Sequence, residues 1–113
     1  MTALKLIENA CALIGASGIE DSRIRDIAIK AINRIYAETC FLTAREYQEI
    51  TTLDDVLNIE ERLFYDVLPY GVASLMAGAL GDRDNQNFYG SIYNLKRKKH
   101  EDSYVDDVLP VIT

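Results

Sequence analysis

Few residues of this 113-residue chain have the types and spacing that chemistry requires. The sole histidine, His100, sits beside a lysine-rich run, and the two cysteines, Cys11 and Cys40, stand far apart with no CxxC pair. A histidine-assisted nucleophile or a zinc cage needs several such groups to converge on one point, so neither is expected here. The thiols read instead as reduced, small apolar residues of an intracellular protein. Asp54 with Asp55, and Glu60 with Glu61, are carboxylate pairs in sequence only. Adjacent residues diverge in direction on a helix or turn, so these are expected to be solvated surface rather than an acid–base pair. Gly71, Gly78 and Gly81 lack the spacing of a phosphate-cradling loop and read as helix-packing residues. The sequence therefore leads to no catalytic residue, no cofactor and no metal site, and an enzyme ranks last among the function classes.

Two other features carry more information. Lys96, Arg97, Lys98 and Lys99 form a basic run with Tyr89 and Tyr93 nearby, a combination that can contact nucleic acid. The same cations can complement the negative end of a helix dipole, or meet an acidic surface on a neighbouring subunit. The dipole reading is preferred, because Glu101, Asp102, Asp106 and Asp107 follow at once and compete for those cations. A formal net charge of -6 also repels phosphate backbones, so specific nucleic-acid binding is not expected. The second feature is the C-terminal segment 101–113, in which Tyr104, Val105, Val108, Leu109, Val111 and Ile112 surround Pro110. Large apolar side chains at a chain end need cover. They either pack back on their own bundle or dock on a neighbouring copy or another protein as a strand or hook.

The elements that position these residues follow from apolar periodicity. Ala3, Leu6, Ile7, Ala10, Leu13 and Ile14 recur at helical spacing, and glycine at 15 and 18 ends that helix. Glu20, Asp21 and Ser22 signal a second start. Ile24, Ile27, Ala28, Ala31, Ile32 and Ile35 then form an unbroken stripe, with Arg23, Asp26, Lys30, Asn33 and Arg34 facing solvent, to about Thr39. Residues 41–58 show no clean period and are expected to be irregular or briefly extended. Asn58 with Glu61 has the spacing of a capping box for a third helix carrying Ile59, Leu63, Phe64, Val67 and Leu68. Pro69 inside that pattern predicts a kink or restart near residues 65–68. Beyond it, Gly71, Ala73, Ser74, Ala77, Gly78 and Gly81 form a small-residue face that suits a bundle centre or a subunit contact. Asp82 and Asp84 can cap a fourth helix whose expected buried side is Phe88, Tyr89, Ile92, Tyr93 and Leu95.

The resulting fold is all-α: a small bundle of about four helices, with an irregular middle segment and an extended C-terminal tail. At 49% hydrophobic residues the chain can build one modest core, which points to a single domain over residues 1–100 followed by the tail 101–113. The longest nearly apolar run, residues 67–80, is shorter than the ~20 residues of a membrane span and is broken by Pro69, Gly71 and Gly78. Glu8 and Asn9 interrupt what an export signal would keep apolar. A soluble protein without a membrane partner is expected.

The order of features is also familiar: two N-terminal helices, ITTLDDVLNIEE, then LPYGVASLMAG and NFYGSIYNLKRK. It resembles the small helical head-to-tail connector, or neck, proteins of tailed bacteriophages and prophages over most of the chain, from Leu4 to about Lys99. Leu68, Pro69, Tyr70, Gly71, Val72 and Ala73, then Asp82 or Asp84, Tyr89 and Tyr93, carry the likeness most specifically. The resemblance implies a non-enzymatic virion protein whose copies form a ring below the portal, at the neck, after assembly in the bacterial host cytoplasm. Its partners would be copies of itself, the portal, and tail or other neck proteins. On the residues alone, Gly71, Ser74, Gly78, Tyr104, Val108, Leu109, Val111 and Ile112 are the candidate subunit or partner contacts, and Lys96, Arg97, Lys98 and Lys99 a candidate basic contact patch. The alternative is a cytoplasmic helical protein-binding or regulatory module acting as a dimer.

Overall fold

The computed structural model describes residues 1–16 and 21–108, with side-chain surroundings as far as Glu101. Among these residues the chain forms α1 Ala3–Ile14, α2 Ser22–Thr43, α3 Glu61–Asp66, α4 Leu68–Ala79 and α5 Arg83–Val108. Since α3 and α4 are two pieces of one interrupted run, the expected all-α bundle of about four helices is what the sequence folds into.

The helix ends follow local capping chemistry. Thr2 Oγ1 accepts from the Lys5 amide at 3.2 Å, and Gly15, at φ 67°, closes α1 in the left-handed conformation that glycine adopts without steric cost. Asp21 Oδ1 accepts from the Arg23 amide at 2.9 Å and starts α2. That helix continues past Thr39 to Thr43. Both threonine hydroxyls donate back to the carbonyl four residues earlier, Thr39 to Ile35 and Thr43 to Thr39, so neither polar group obstructs the helix.

The break at Pro69 falls where its missing amide and ring require it. Val67 is distorted from regular helix (φ -110°, ψ -51°) where α3 and α4 meet, and Pro69 sits in the first turn of α4, where its lost donor has no partner to miss. The expected capping box does not form: α3 starts at Glu61 after Glu60, without a side-chain cap. Asn58 is engaged elsewhere, its amide donating to the Tyr36 hydroxyl at 2.8 Å and its Oδ1 accepting from Arg45 at 3.3 Å.

The middle segment is irregular apart from one isolated antiparallel bridge between Thr2 and Val56. It lies against the start of α1 through bonds from the Ala3 amide to the Asp55 carbonyl and from the Leu4 amide to the Leu53 carbonyl. Asn33, expected on the solvent face of α2, is half-buried and grips this segment. Its Oδ1 accepts from the Ile50 amide at 2.7 Å, and its Nδ2 donates to the Ile50 carbonyl at 2.9 Å.

Leu6 and Ile7 of α1, Ile32 and Tyr36 of α2, Phe64 of α3, and Val72 and Met76 of α4 are buried in one continuous core. Packing α1 and α2 against α4 removes these side chains from water, and truncating one to alanine costs about 2–5 kcal/mol. α5 then lies along α4.

α5 differs from expectation in length. The fourth helix does not stop at the basic run: backbone helix continues through residues 101–108, where an extended tail was expected. Residues 101–108 contain neither glycine nor proline, so no local breaker interrupts the helix there. Lys96, Arg97, Lys98 and Lys99 thus occupy the interior of α5 rather than its last turn, so complementing the helix terminus is not their role.

Candidate assembly surface

The small-residue face of α4 is occupied within the chain. An added Cβ on Gly71 would lie 2.9 Å from Ile35 Cδ1 and from two ring carbons of Tyr93, so only glycine admits that ring over α4. Ser74 Oγ donates to the Gln86 carbonyl at 2.7 Å, and Gly90 faces the same hydroxyl across the contact. Gly78 lies against the Gln86 side chain. Gly71, Ser74 and Gly78 therefore seat α5 and are corrected from candidate subunit contacts to internal packing residues. Gly90, which completes the contact from the α5 side, escaped notice in the sequence. Its spacing from Tyr93 and Gln86, at three and four residues, is the signal that places it on the same face.

Tyr89 and Tyr93 anchor α5 to two other helices. The Tyr89 hydroxyl donates to the Leu13 carbonyl at the end of α1 at 2.6 Å, and the Tyr93 hydroxyl donates to Glu38 Oε2 on α2 at 3.0 Å. Burial, reinforced by the neighbouring Glu38 carboxylate, pushes the Tyr93 phenol well above its ordinary range. It stays protonated and serves as a donor, not as a base.

The basic run divides between two directions. Lys96 Nζ meets Asp66 Oδ1 at 2.8 Å and lies 5.1 Å from the Tyr70 ring centroid; the hydrogen bond to Asp66 raises its affinity for the proton. Arg97 reaches Glu38 at 4.0 Å and covers the Tyr93 ring at 5.4 Å, and His100 Nε2 lies 4.0 Å from Glu60. Lys98 and Lys99 are exposed and make no ion pair among the described residues. Of the candidate patch, two cations are spent tying α5 to α2 and α3, and two face outward.

Phe88 and Leu95 were expected in the core and are instead exposed, at 58% and 72%. The inner face of α5 is set by Tyr89 and Tyr93. Phe88, Ile92 and Leu95, spaced by four and three, fall on a separate stripe to one side of it, with Ile92 half-buried between. Among the apolar residues of the helix, the tyrosines at 89 and 93 already account for one buried face, which is the signal that separates the two stripes. Phe41, near the end of α2, is 87% exposed.

Tyr104 and Val108 lie in the helical backbone of α5. Leu109, Val111 and Ile112 fall outside the described residues. Cys11 and Cys40 are buried, and burial raises both thiols above their usual range, which makes them poor nucleophiles. An open groove of about 280 Å³ runs over Gly71 and Gly90, rimmed by Arg34, Glu38, Asn94 and Arg97. Among the described residues, no helix is long and apolar enough to cross a membrane.

Set beside known proteins, the chain matches no family model, no curated protein and no solved structure.

Proposed function

We propose that this chain is a non-enzymatic structural protein of the head-to-tail connector type found in tailed bacteriophages and prophages. Its copies would form a ring below the portal, at the virion neck, after assembly in the host cytoplasm. The observation that carries the assembly reading is the outer surface of α5, where Phe88 and Leu95 stand in solvent beside the exposed Lys98 and Lys99. Exposed apolar side chains in line on a helix are a docking surface, whereas scattered single ones are not. The connector identity rests on the sequence resemblance from Leu4 to about Lys99, whose Tyr89 and Tyr93 are the residues that moor α5 to the bundle.

A net charge of -6 fits a channel wall along which DNA must slide without sticking. Strong, salt-sensitive binding of duplex DNA by the purified protein would contradict this. The direct test mixes the full chain with its portal and examines the products by light scattering and electron microscopy. Ring-shaped particles seated on the portal are expected, and failure to bind the portal would overturn the connector reading.

A further inference from the structure

We propose that α5 pairs antiparallel with α5 of a second copy about a two-fold axis beside Ser91 and Ile92. The pairing rests on the same exposed Phe88 and Leu95 that carry the assembly reading, gives that surface a second copy as its occupant, and holds equally for a dimeric module. It rests on a register in the surface of the helix. At 100° per residue, Asp84, Phe88, Ile92, Leu95 and Lys99 fall within about 40° of one line along α5, a stripe about 24 Å long. This line lies to one side of the face that Tyr89 and Tyr93 hold against the bundle.

The stripe is self-complementary. Reversing one copy about the point midway between Ser91 and Ile92 sets Phe88 opposite Leu95 of the second copy, and Asp84 opposite its Lys99. An isologous contact of this kind brings two apolar pairs and two opposite-charge pairs together at once. Asp84 and Lys99 are both exposed, and neither makes an ion pair among the described residues. Parallel pairing would instead set Asp84 against Asp84 and Lys99 against Lys99. The charges thus select the antiparallel arrangement, as flanking charges do in coiled coils, while adding little affinity of their own.

Two such stripes bury less than the ~800 Å² per partner of a standard interface, so the dimer dissociates in the micromolar range or above.

The test is sedimentation equilibrium of the full, reduced chain with four variants. The wild type is expected to show a monomer–dimer equilibrium. Leu95→Asp should raise the dissociation constant at least about tenfold while leaving the circular dichroism and melting curve of the dilute monomer unchanged, since Leu95 is 72% exposed. Asp84→Lys and Lys99→Asp should each weaken pairing by roughly threefold or more, and the double reversal should restore it. In parallel, Ser91→Cys should form disulfide-linked dimers under mild oxidation, and Asn94→Cys, off the stripe, should not. A wild type that stays monomeric up to about 1 mM, a dimer indifferent to Leu95→Asp, or charge reversals that fail to compensate would each overturn the pairing. A larger assembly that Leu95→Asp disrupts would also refute it, because the stripe would then be a ring contact and the connector reading would stand alone.

Discussion

The Tyr93 hydroxyl donates to Glu38 Oε2 at 3.0 Å while the Arg97 guanidinium covers the same ring at 5.4 Å, so one α5 side chain is held by α2 and by its own next turn. With Gly71 beneath it, this ring fixes how α5 lies on the bundle and therefore which face of α5 points outward. Removing only the hydroxyl, as in Tyr93→Phe, leaves the ring contacts and deletes a bond to a charged acceptor. The expected loss is about 1–2 kcal/mol in urea unfolding.

Alkaline pH should reach the same bond. Burial first, then the Glu38 charge, hold the Tyr93 pKa above its ordinary 10.0. A pKa raised in the folded state means that the folded chain binds the proton more tightly. The associated stability is complete below about pH 10 and is lost as pH rises toward the folded value. Unfolding measured at about pH 8 and about pH 11 should show a stability loss that is shallower in Tyr93→Phe. It should not vanish there, because Tyr36 and Tyr47 are also raised by burial.

Two glycines of α4 should respond oppositely to alanine. At Gly71 the new methyl meets Ile35 and Tyr93 at 2.9 Å inside the core, and the overpacking costs roughly 1–3 kcal/mol, more than the helix gains by losing a glycine. At Gly78 it meets the far end of the exposed Gln86 side chain, which can swing away. Gly78→Ala should then be neutral, or more stable by up to about 0.5–1 kcal/mol. Thermal melts of the two variants compare them directly, and equal losses would contradict this account of the contact.

Neighbouring cations should also separate. Lys96→Ala loses the 2.8 Å pair with Asp66 and the contact over Tyr70, but both partners are partly solvated, so about 0.5–1 kcal/mol is expected, shrinking at high salt. Lys99→Ala touches no ion pair among the described residues and should leave monomer stability unchanged. Melting of each variant at low and high ionic strength, at concentrations where the chain is monomeric, distinguishes them.

What the sequence disclosed and what it concealed divide along the range of the interactions. The α2 stripe, the Asp21 and Asp82 caps and the break before Pro69 are local, since each depends on residues within about one turn. The capping box failed because Asn58 is taken by Tyr36 and Arg45, residues far away in the chain. Small residues on α4 announced a close contact but could not reveal whether the other helix came from this chain or another. α5 carries two apolar stripes, and burial of one of them was decided by Gly71 and Glu38, which no pattern within α5 reveals. Asn33 looked like solvent-facing decoration because its partner, Ile50, belongs to the segment with no period at all.

That Asn33 clamp gives the last prediction. Asn33 presents its acceptor to the Ile50 amide and the Tyr47 hydroxyl and its donor to the Ile50 carbonyl, holding a segment that has no ladder of its own. Asn33→Ala leaves both backbone groups of the buried Ile50 without those partners, which should cost about 2–3 kcal/mol. Asn33→Asp keeps the acceptor but loses the donor and sets a negative charge against a carbonyl oxygen, so it should not rescue. Because the segment is held largely by this residue and by the edge of α1, its opening should be partly independent of the α4–α5 contact. Hydrogen exchange of Asn33→Ala should therefore quicken most at residues 47–57, with the amides of α4 much less affected. Uniform quickening through α4 and α5 would show instead that the clamp belongs to the global core.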